Sequence, residues 1–500
     1  MLTPASEVEW PHPEGDAVNR DSWRGRILIG EPDPSLVRFG GLVVAGELAR
    51  QLELEGRIER ELSLERRARP VKVRHRGASP AQLVLALAEC QLAGGSFFRD
   101  LEEVRADEAG APLRIVAATP SAPAALQRAK DFRRVHCQRI ERALACAGHE
   151  LDRRLGRERS LEPATIDLDA TQIEVYGRCK QGAQRNRQGQ MSYAPHVAFW
   201  PQTGRALTAE LVSGAREKLT GAECARIARR AISLLPTSND PLQRRGPLCF
   251  RIDSAYYQLE LLHALRAERA CFTVSAPRNQ AMWKALAEIG EDAWQDALEM
   301  AGAQVAEITY TPQGWKHEPL RLIIRRTVFS AAQIARLKGS RRLKTIHPDQ
   351  LQLALDGQLD EAYGYSFILT DLHWPPATWI EYFHRHRAQV EERLKDTKLG
   401  QALRHLPSGD ENANRLWLTA ALTALNLTAF CCDVSPAAGA SAGPDARPQR
   451  RHGKALRNLF FCIPLKIVRT ARRLILRPPA GYLHRAILQD TLDAIYALGP

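Results

Sequence analysis

The hydrophobic period of the chain changes at Ala164. Upstream, apolar residues recur at three- and four-residue steps, as in Leu42-Val-Val-Ala-Gly-Glu-Leu-Ala-Arg-Gln-Leu-Glu-Leu54, the spacing of amphipathic helices. Ser79-Pro80 opens a second helix that runs to Ala93, and a third, basic at Lys130, Arg133, Arg134, Arg139 and Arg142, spans about Pro123 to Gly148; serine before proline suits an N-cap followed by the first helical position. Downstream, Thr165-Ile-Asp-Leu-Asp-Ala-Thr-Gln-Ile-Glu-Val-Tyr176 alternates with period two, the mark of a strand. A chain that switches period in this way belongs to the mixed α/β class, and its 500 residues exceed one ordinary core, so two or three domains are expected.

The alternation puts Asp167 and Asp169 on the same side of their strand. Two neighbouring carboxylates repel, which makes sense beside a bound cation; a solvent-facing strand edge is the other reading. Tyr193–Trp200 and Arg205–Leu211, separated by the turn Pro201–Gly204, complete a three-stranded meander, and a helix follows from Gly221 to Leu235. The apolar run after Pro247 ends in Asp253 and leads into a helix through Leu265. A carboxylate at the carboxyl end of a strand is a common way to present a catalytic acid. Ser254 as a helix cap, with Asp253 as its dipole partner, is the structural alternative. Further strands are expected at Cys271–Ser275, Val305–Tyr310, Leu320–Phe329 and Tyr365–Leu369, with a helix at Asn279–Leu286. Trp315 reads as a packing residue of a hairpin-like segment, base stacking being the alternative.

The stretch Trp379–Lys398 has the pattern of one helix. At about 100° per residue, His384, Arg387, Glu391 and Lys398 fall within roughly 60° of one another, with Phe383, Val390 and Leu394 on the flank. A surface helix laced with i,i+4 pairs such as Arg387 to Glu391 has the same spacing. The order aromatic, Arg, Glu, Lys over this spacing resembles the tyrosine, arginine, glutamate, lysine signature of bacterial insertion-sequence transposases. The context Arg-Ala-Gln-Val-Glu-Glu-Arg-Leu-Lys-Asp-Thr-Lys398 is similar to the thirteen-eighty family of insertion sequences. His384 stands where that signature has tyrosine, and Ala255 stands where the family's Arg-x-Asp-Ser-Gly run has glycine.

The resemblance, which runs from the Gly40 region through Leu425, implies a DDE transposase with a helical N-terminal domain and an RNase H-like catalytic core interrupted by a β-rich insertion; the residues beyond it add a basic helical C-terminal segment. Asp169, Asp253 and Glu391 become the catalytic acids and ligands of two Mg²⁺ ions, or of Mn²⁺ in their place. Asp167 is an alternative ligand and Glu392 a weaker one. His384, Arg387 and Lys398 become contacts to DNA phosphates. The expected boundaries are a mobile arm (1–38), a helical DNA-binding domain (39–160), the first part of the core (161–265), the insertion (266–372), the second part of the core (373–433), a linker (434–450) and the basic segment (451–500). The expected activity is cleavage at the ends of a mobile element and strand transfer into target DNA. The partners are double-stranded DNA carrying terminal inverted repeats, target DNA, and a second copy of the chain. Two other functions fit these residues: a DNA-binding protein with a decayed or repurposed core, and an RNase H-like nuclease without strand transfer.

Charge supports a polyanionic partner, with a formal net charge of +13 and a pI near 9.4. Between Arg447 and Arg485 there are eleven Lys and Arg and no Asp or Glu. Arg469, Arg472, Arg473 and Arg477 recur at near-helical spacing, so a basic amphipathic helix lying along DNA is expected, an anionic membrane surface being the alternative. The apolar stretch Leu416–Cys432 contains Asn426 and several threonines and reads as a buried helix, not a membrane span. The ten cysteines include no Cys-x-x-Cys pair, so reduced thiols and a cytoplasmic, nucleoid-associated location are expected.

Overall fold

The structure is a computed structural model that describes residues 29–71, 77–177, 179–216, 218–238, 245–337, 340–387, 403–435 and 453–499. Local chemistry sets the helix starts. Ser79 caps the Pro80–Leu92 helix, accepting from Gln82 N while the Gln82 side chain accepts from Ser79 N. The basic helix expected from Pro123 to Gly148 is two helices, Ala122–Ala129 and Arg134–Arg154. Between them Phe132 is buried, and His136 Nδ1 accepts from Arg133 N, closing the first turn of the second helix.

In chain order the strands are β1 (Leu36–Val37), β2 (Ala164–Ala170), β3 (Ile173–Glu174), β4 (Gln184–Arg185), β5 (Met191–Trp200), β6 (Arg205–Ser213), β7 (Leu248–Ile252), β8 (Cys271–Ala276), β9 (Gln295–Asp296), β10 (Ala303–Tyr310), β11 (Leu320–Ser330), β12 (Glu361–Thr370), β13 (Leu465–Arg469) and β14 (Leu474–Arg477). Eleven of them form one mixed sheet in the order β3-β5-β2-β7-β8-β12-β11-β10-β9, with β4 and β6 also paired to β5. β2, β7 and β8 run parallel, and β5 and β6 are antiparallel beside them. The strands expected as a separate insertion continue this sheet. β8 pairs with β7, Phe250 opposite Phe272, and β12 lies against β8. The parallel strands β2, β7 and β8 are buried along most of their length, as parallel strands require.

One apolar core joins segments far apart in the sequence. Residues of the N-terminal helices, such as Leu48, Val84 and Leu144, pack with Trp417 and Leu425 of the Glu411–Val434 helix and with Phe460 and Phe461. At Gly41 a Cβ would lie 1.4 Å from the Phe460 carbonyl oxygen, so only glycine fits. The Glu411–Val434 helix is long and apolar enough to cross a membrane, yet 94% of its most apolar window is buried inside the protein. Its Asn426 accepts from Ala206 N at 2.8 Å and donates to Ala206 O at 3.0 Å, sealing the open edge of β6. Glu141 continues the seal, accepting from Ala209 N and the Thr208 hydroxyl.

The C-terminal basic segment departs from expectation. Arg469–Arg477 does not form a helix; it forms the β13–β14 hairpin, with Lys466 opposite Arg477 and Ile467 opposite Leu476. Leu465 and Ile467 alternate with the exposed Lys466, and this period-two burial overrides the arginine spacing. β1, within the expected mobile arm, is paired to β13. A helix appears only later, at Arg485–Ala497. Residues 1–28 of the arm and 436–450 of the expected linker lie outside the described residues.

Candidate active site

The site is built where β2 and β7 end. Ile166 and Leu168 point into the core on one face of β2, which leaves Asp167 and Asp169 for the other. Asp167 is fully buried and stands opposite Arg251 of β7. The Arg251 Nε and Nη2 donate to its two oxygens at 2.7 Å each. Burial pushes the Asp167 carboxyl up, and the Arg251 hydrogen bonds and charge pull it back. Arg251 also donates to Phe383 O at 2.9 Å and lies over the Phe383 ring, so Asp167 fastens the sheet to the Ala377–Arg385 helix.

Two residues further on the arrangement opens. Leu168 is the register partner of Ile252, so Asp169 and Asp253 follow side by side at the carboxyl ends of two parallel strands, with backbones roughly 4.8 Å apart. Asp169 accepts from Ala170 N at 2.9 Å. Asp253 accepts from Ser254 N and caps the short turn Ser254–Tyr256, so the cap is the aspartate and not Ser254. The Arg387 guanidinium lies between the two acids, Nη1 3.6 Å from Asp169 Oδ2 and Nη2 3.8 Å from Asp253 Oδ1. The Asp253 side chain is 40% exposed and that of Asp169 13%. Below them Tyr256 is buried, its hydroxyl 2.6 Å from His196 Nδ1. Burial, and then the nearby carboxylate of Asp169, hold that phenol protonated.

The His384 ring, expected as a phosphate contact, is engaged on β8. Its Nδ1 meets the Thr273 hydroxyl at 2.8 Å and its Nε2 the Ser275 hydroxyl at 2.9 Å. Both ring nitrogens are thus spent on β8. Burial, and after it the charges of Arg387, Arg251 and Arg325, lower its pKa to about 3, so the ring is neutral. Threonine and serine two apart on one strand face present a pair of hydroxyls that an imidazole fits on both sides. Glu391 and Lys398, like Val390, Glu392 and Leu394, lie outside the described residues.

Several supporting residues were not anticipated from the sequence. Glu381 is fully buried and holds Arg325 of β11 at 2.6 Å and Arg385 at 3.1 Å, docking the helix on the sheet. A charged residue inside an apolar strand, such as Arg251 in Leu-Cys-Phe-Arg-Ile, signals an unseen carboxylate partner. Trp315 is buried, stacked on His263 at 4.8 Å, and donates from Nε1 to Glu318 O at 2.8 Å, which is a packing role. In the N-terminal helices Arg139 is spent on Glu61 and Glu65 and Arg134 on Glu210, while Lys130, Arg133 and Arg142 face outward.

The donor set suits a hard divalent cation. Asp169 and Asp253 supply carboxylate oxygens from adjacent strand ends, and a cationic guanidinium already lies between them. Among the described residues no group of three His, Cys, Asp or Glu side chains is placed to hold a metal.

The family model of the transposase DDE domain group 1 matches residues 34–336 and 356–500, and the chain belongs to that family of DDE transposases. Comparison with curated proteins gives no match. Among solved structures the chain is similar to piggyBac transposase in a cryo-EM synaptic complex with hairpin DNA, at 10% identity and a TM-score of 0.39, over 84% of this chain and 79% of that one.

Proposed function

We propose that the chain cleaves DNA at the ends of a mobile element and transfers the freed 3′ end into target DNA, in a Mg²⁺-dependent reaction carried by Asp169, Asp253 and Glu391. The observation that carries this reading is the register of β2 and β7, which sets two carboxylates of a DDE-family chain side by side at the ends of parallel strands. The order β6-β5-β2-β7-β8, with its antiparallel pair beside three parallel strands, supports an RNase H-like core. The signature around Arg387 and Glu391 supports membership of the thirteen-eighty branch of insertion sequences.

In this reading Asp169 and Asp253 hold divalent cations with Glu391. When bound, these cations activate the attacking oxygen and stabilise the leaving 3′ oxygen of an in-line phosphoryl transfer. Arg387 screens the repulsion between the two acids and, with Lys398, holds a phosphate beside the scissile one. Tyr256 stays a neutral hydroxyl beneath the acids and so adds no third negative charge. Asp167 keeps β2 and the helix in register through Arg251. A second copy of the chain in the synaptic complex belongs to the same proposal. His384, at the tyrosine position, spends its ring on Thr273 and Ser275, so it helps hold the helix on β8.

The test is a supercoiled donor plasmid bearing the element's terminal inverted repeats, incubated with Mg²⁺. Nicking at the ends followed by joined product is expected. Binding without nicking leaves a DNA-binding protein, and nicking without joining leaves a nuclease. Glu391→Gln is expected to keep end binding and lose cleavage, since a neutral amide is a poor Mg²⁺ ligand; full nicking by that variant removes Glu391 from the triad.

A further inference from the structure

We propose that the β13–β14 hairpin is a base-reading element that enters the major groove at the ends of the mobile element. This rests on the transposase reading above for the identity of its DNA, and adds to it which part of the chain distinguishes one sequence from another.

The base of the hairpin is fixed. Leu465 and Ile467 are buried in the large apolar core, and Leu476 packs against it. β1 flanks β13 on the far side. The tip is equally defined: Thr470 N donates to Arg473 O at 2.9 Å, and Arg473 N donates to Thr470 Oγ1 at 3.1 Å, leaving Ala471 and Arg472 as a two-residue loop. From this fixed ribbon Arg469, Arg472, Arg473 and Arg477 are all exposed, and among the described residues no carboxylate forms an ion pair with any of them. Lys466 and Arg477, like charges, stand directly opposite one another. Lys466 is relieved by Asp33 at 3.1 Å. Such a concentration of positive charge costs stability unless an anion covers it.

The arginines alone fit any polyanion. The apolar residues among them narrow the choice. Leu474 is 42% exposed and Ile475 39%, and an edge strand blunted by charge against aggregation has no need of them. Phosphates offer nothing to Ile475, which lies on the outward face of the ribbon with Lys466 and Arg477, whereas a thymine methyl group on the groove wall does, and arginine pairs with the guanine edge in the same groove. A two-stranded ribbon fits the major groove, about 12 Å wide, and not the minor groove at about 6 Å.

The test compares a duplex carrying the inverted repeat that flanks the coding region with a scrambled duplex of equal composition. In the full-length chain, Arg472→Gln with Arg473→Gln is expected to weaken binding to the repeat roughly 10- to 100-fold while changing affinity for the scrambled duplex by less than about 3-fold. Guanine N7 methylation of the repeat is expected to block wild-type binding and to matter little to the variant. Both side chains are exposed, so an unchanged melting temperature is expected and shows that the fold is intact. Equal loss on both duplexes, with a shallower salt dependence, means phosphate contact only and overturns the proposal, as does no loss at all. A wild-type chain that binds neither duplex overturns the transposase reading itself, whereas normal wild-type end binding with an unaffected variant overturns only the hairpin.

Discussion

Two charged clusters, each knit from aspartate and arginine, serve opposite ends. In the seam between the Arg134–Arg154 helix, β6 and the Glu411–Val434 helix, Arg205 meets Asp152 at 2.5 Å and Asp433 at 2.9 Å. Arg157 closes on Asp433 at 3.1 Å. The side chains of Arg205, Asp152 and Asp433 are at most 5% exposed. At the ends of β2 and β7, Arg387 stands 3.6 and 3.8 Å from acids that are 13% and 40% exposed. The centre of the seam is closed, with Arg157 reaching solvent at its rim, so its charges are committed to one another. The sheet end is looser and more exposed, with its arginine beyond hydrogen-bond distance of either acid, which suits the metal-binding role proposed for Asp169 and Asp253.

The comparison breaks most sharply by neutralising one acid in each place. Asp169→Asn is expected to lower end nicking about 10⁴-fold, or roughly 5 kcal/mol of barrier, with little change in melting temperature. A variant that nicks normally shows that Asp169 is not a ligand. Arg205→Met is expected to do the reverse. It removes the shared partner of two buried carboxylates and leaves Asp152 to Arg159 at 3.2 Å and Asp433 to Arg157 at 3.1 Å, at a cost of about 3 kcal/mol in chemical unfolding, while the folded fraction nicks normally. An unchanged urea midpoint removes the seam from the stability of the fold.

Acid sharpens the same contrast at smaller scale. Burial lowers the pKa of His149 and His196 to about 4 and of His384 to about 3. These folded values lie below the unfolded one, so the stability the three contribute is complete above about pH 6.5 and is lost as pH falls towards the folded values. Each accounts for about 1.4 kcal/mol per pH unit in that window. Burial raises Glu89 to about 7 and Asp371 to about 6, and these pull the other way as pH falls. His384→Asn is expected to flatten the fall in stability between pH 6.5 and 5 by one histidine's share; an unaltered slope shows that the ring takes up a proton in the folded state. The smallest effect belongs to Arg387→Ala. Calorimetry with Mn²⁺ is expected to show several-fold tighter binding, about 1 kcal/mol, because a competing cation is gone. Weaker Mn²⁺ binding makes the arginine a support of the ion site instead of a stand-in.

Much of the sheet was legible because strands report their period locally. β2, β5, β7, β8, β11 and β12 lie where alternation and apolar runs put them. Asp169 and Asp253 were legible as strand-end acids, but their side-by-side register is a long-range fact that no local pattern carries. Asp167 and Asp169 look alike in the sequence, and only the arginine across on β7 separates the buried one from the open one. The contacts of His384 are long-range facts of the same kind. Helical spacing says which residues share a stripe, not that Thr273 and Ser275 wait beneath one end of it. The arginines at 469–477 matched a helical period by coincidence, and the strand pairing of Leu465–Arg469 with β1 depends on a partner more than 400 positions away.

That partnership between the two ends of the chain has a consequence for synthesis. The Val43–Gln51 and Pro80–Leu92 helices are made more than 300 residues before Trp417, Leu425, Phe460 and Phe461, which share their core. Until those residues are made, Leu144 and its neighbours cover these helices only in part, and such transiently exposed apolar surface is what invites aggregation.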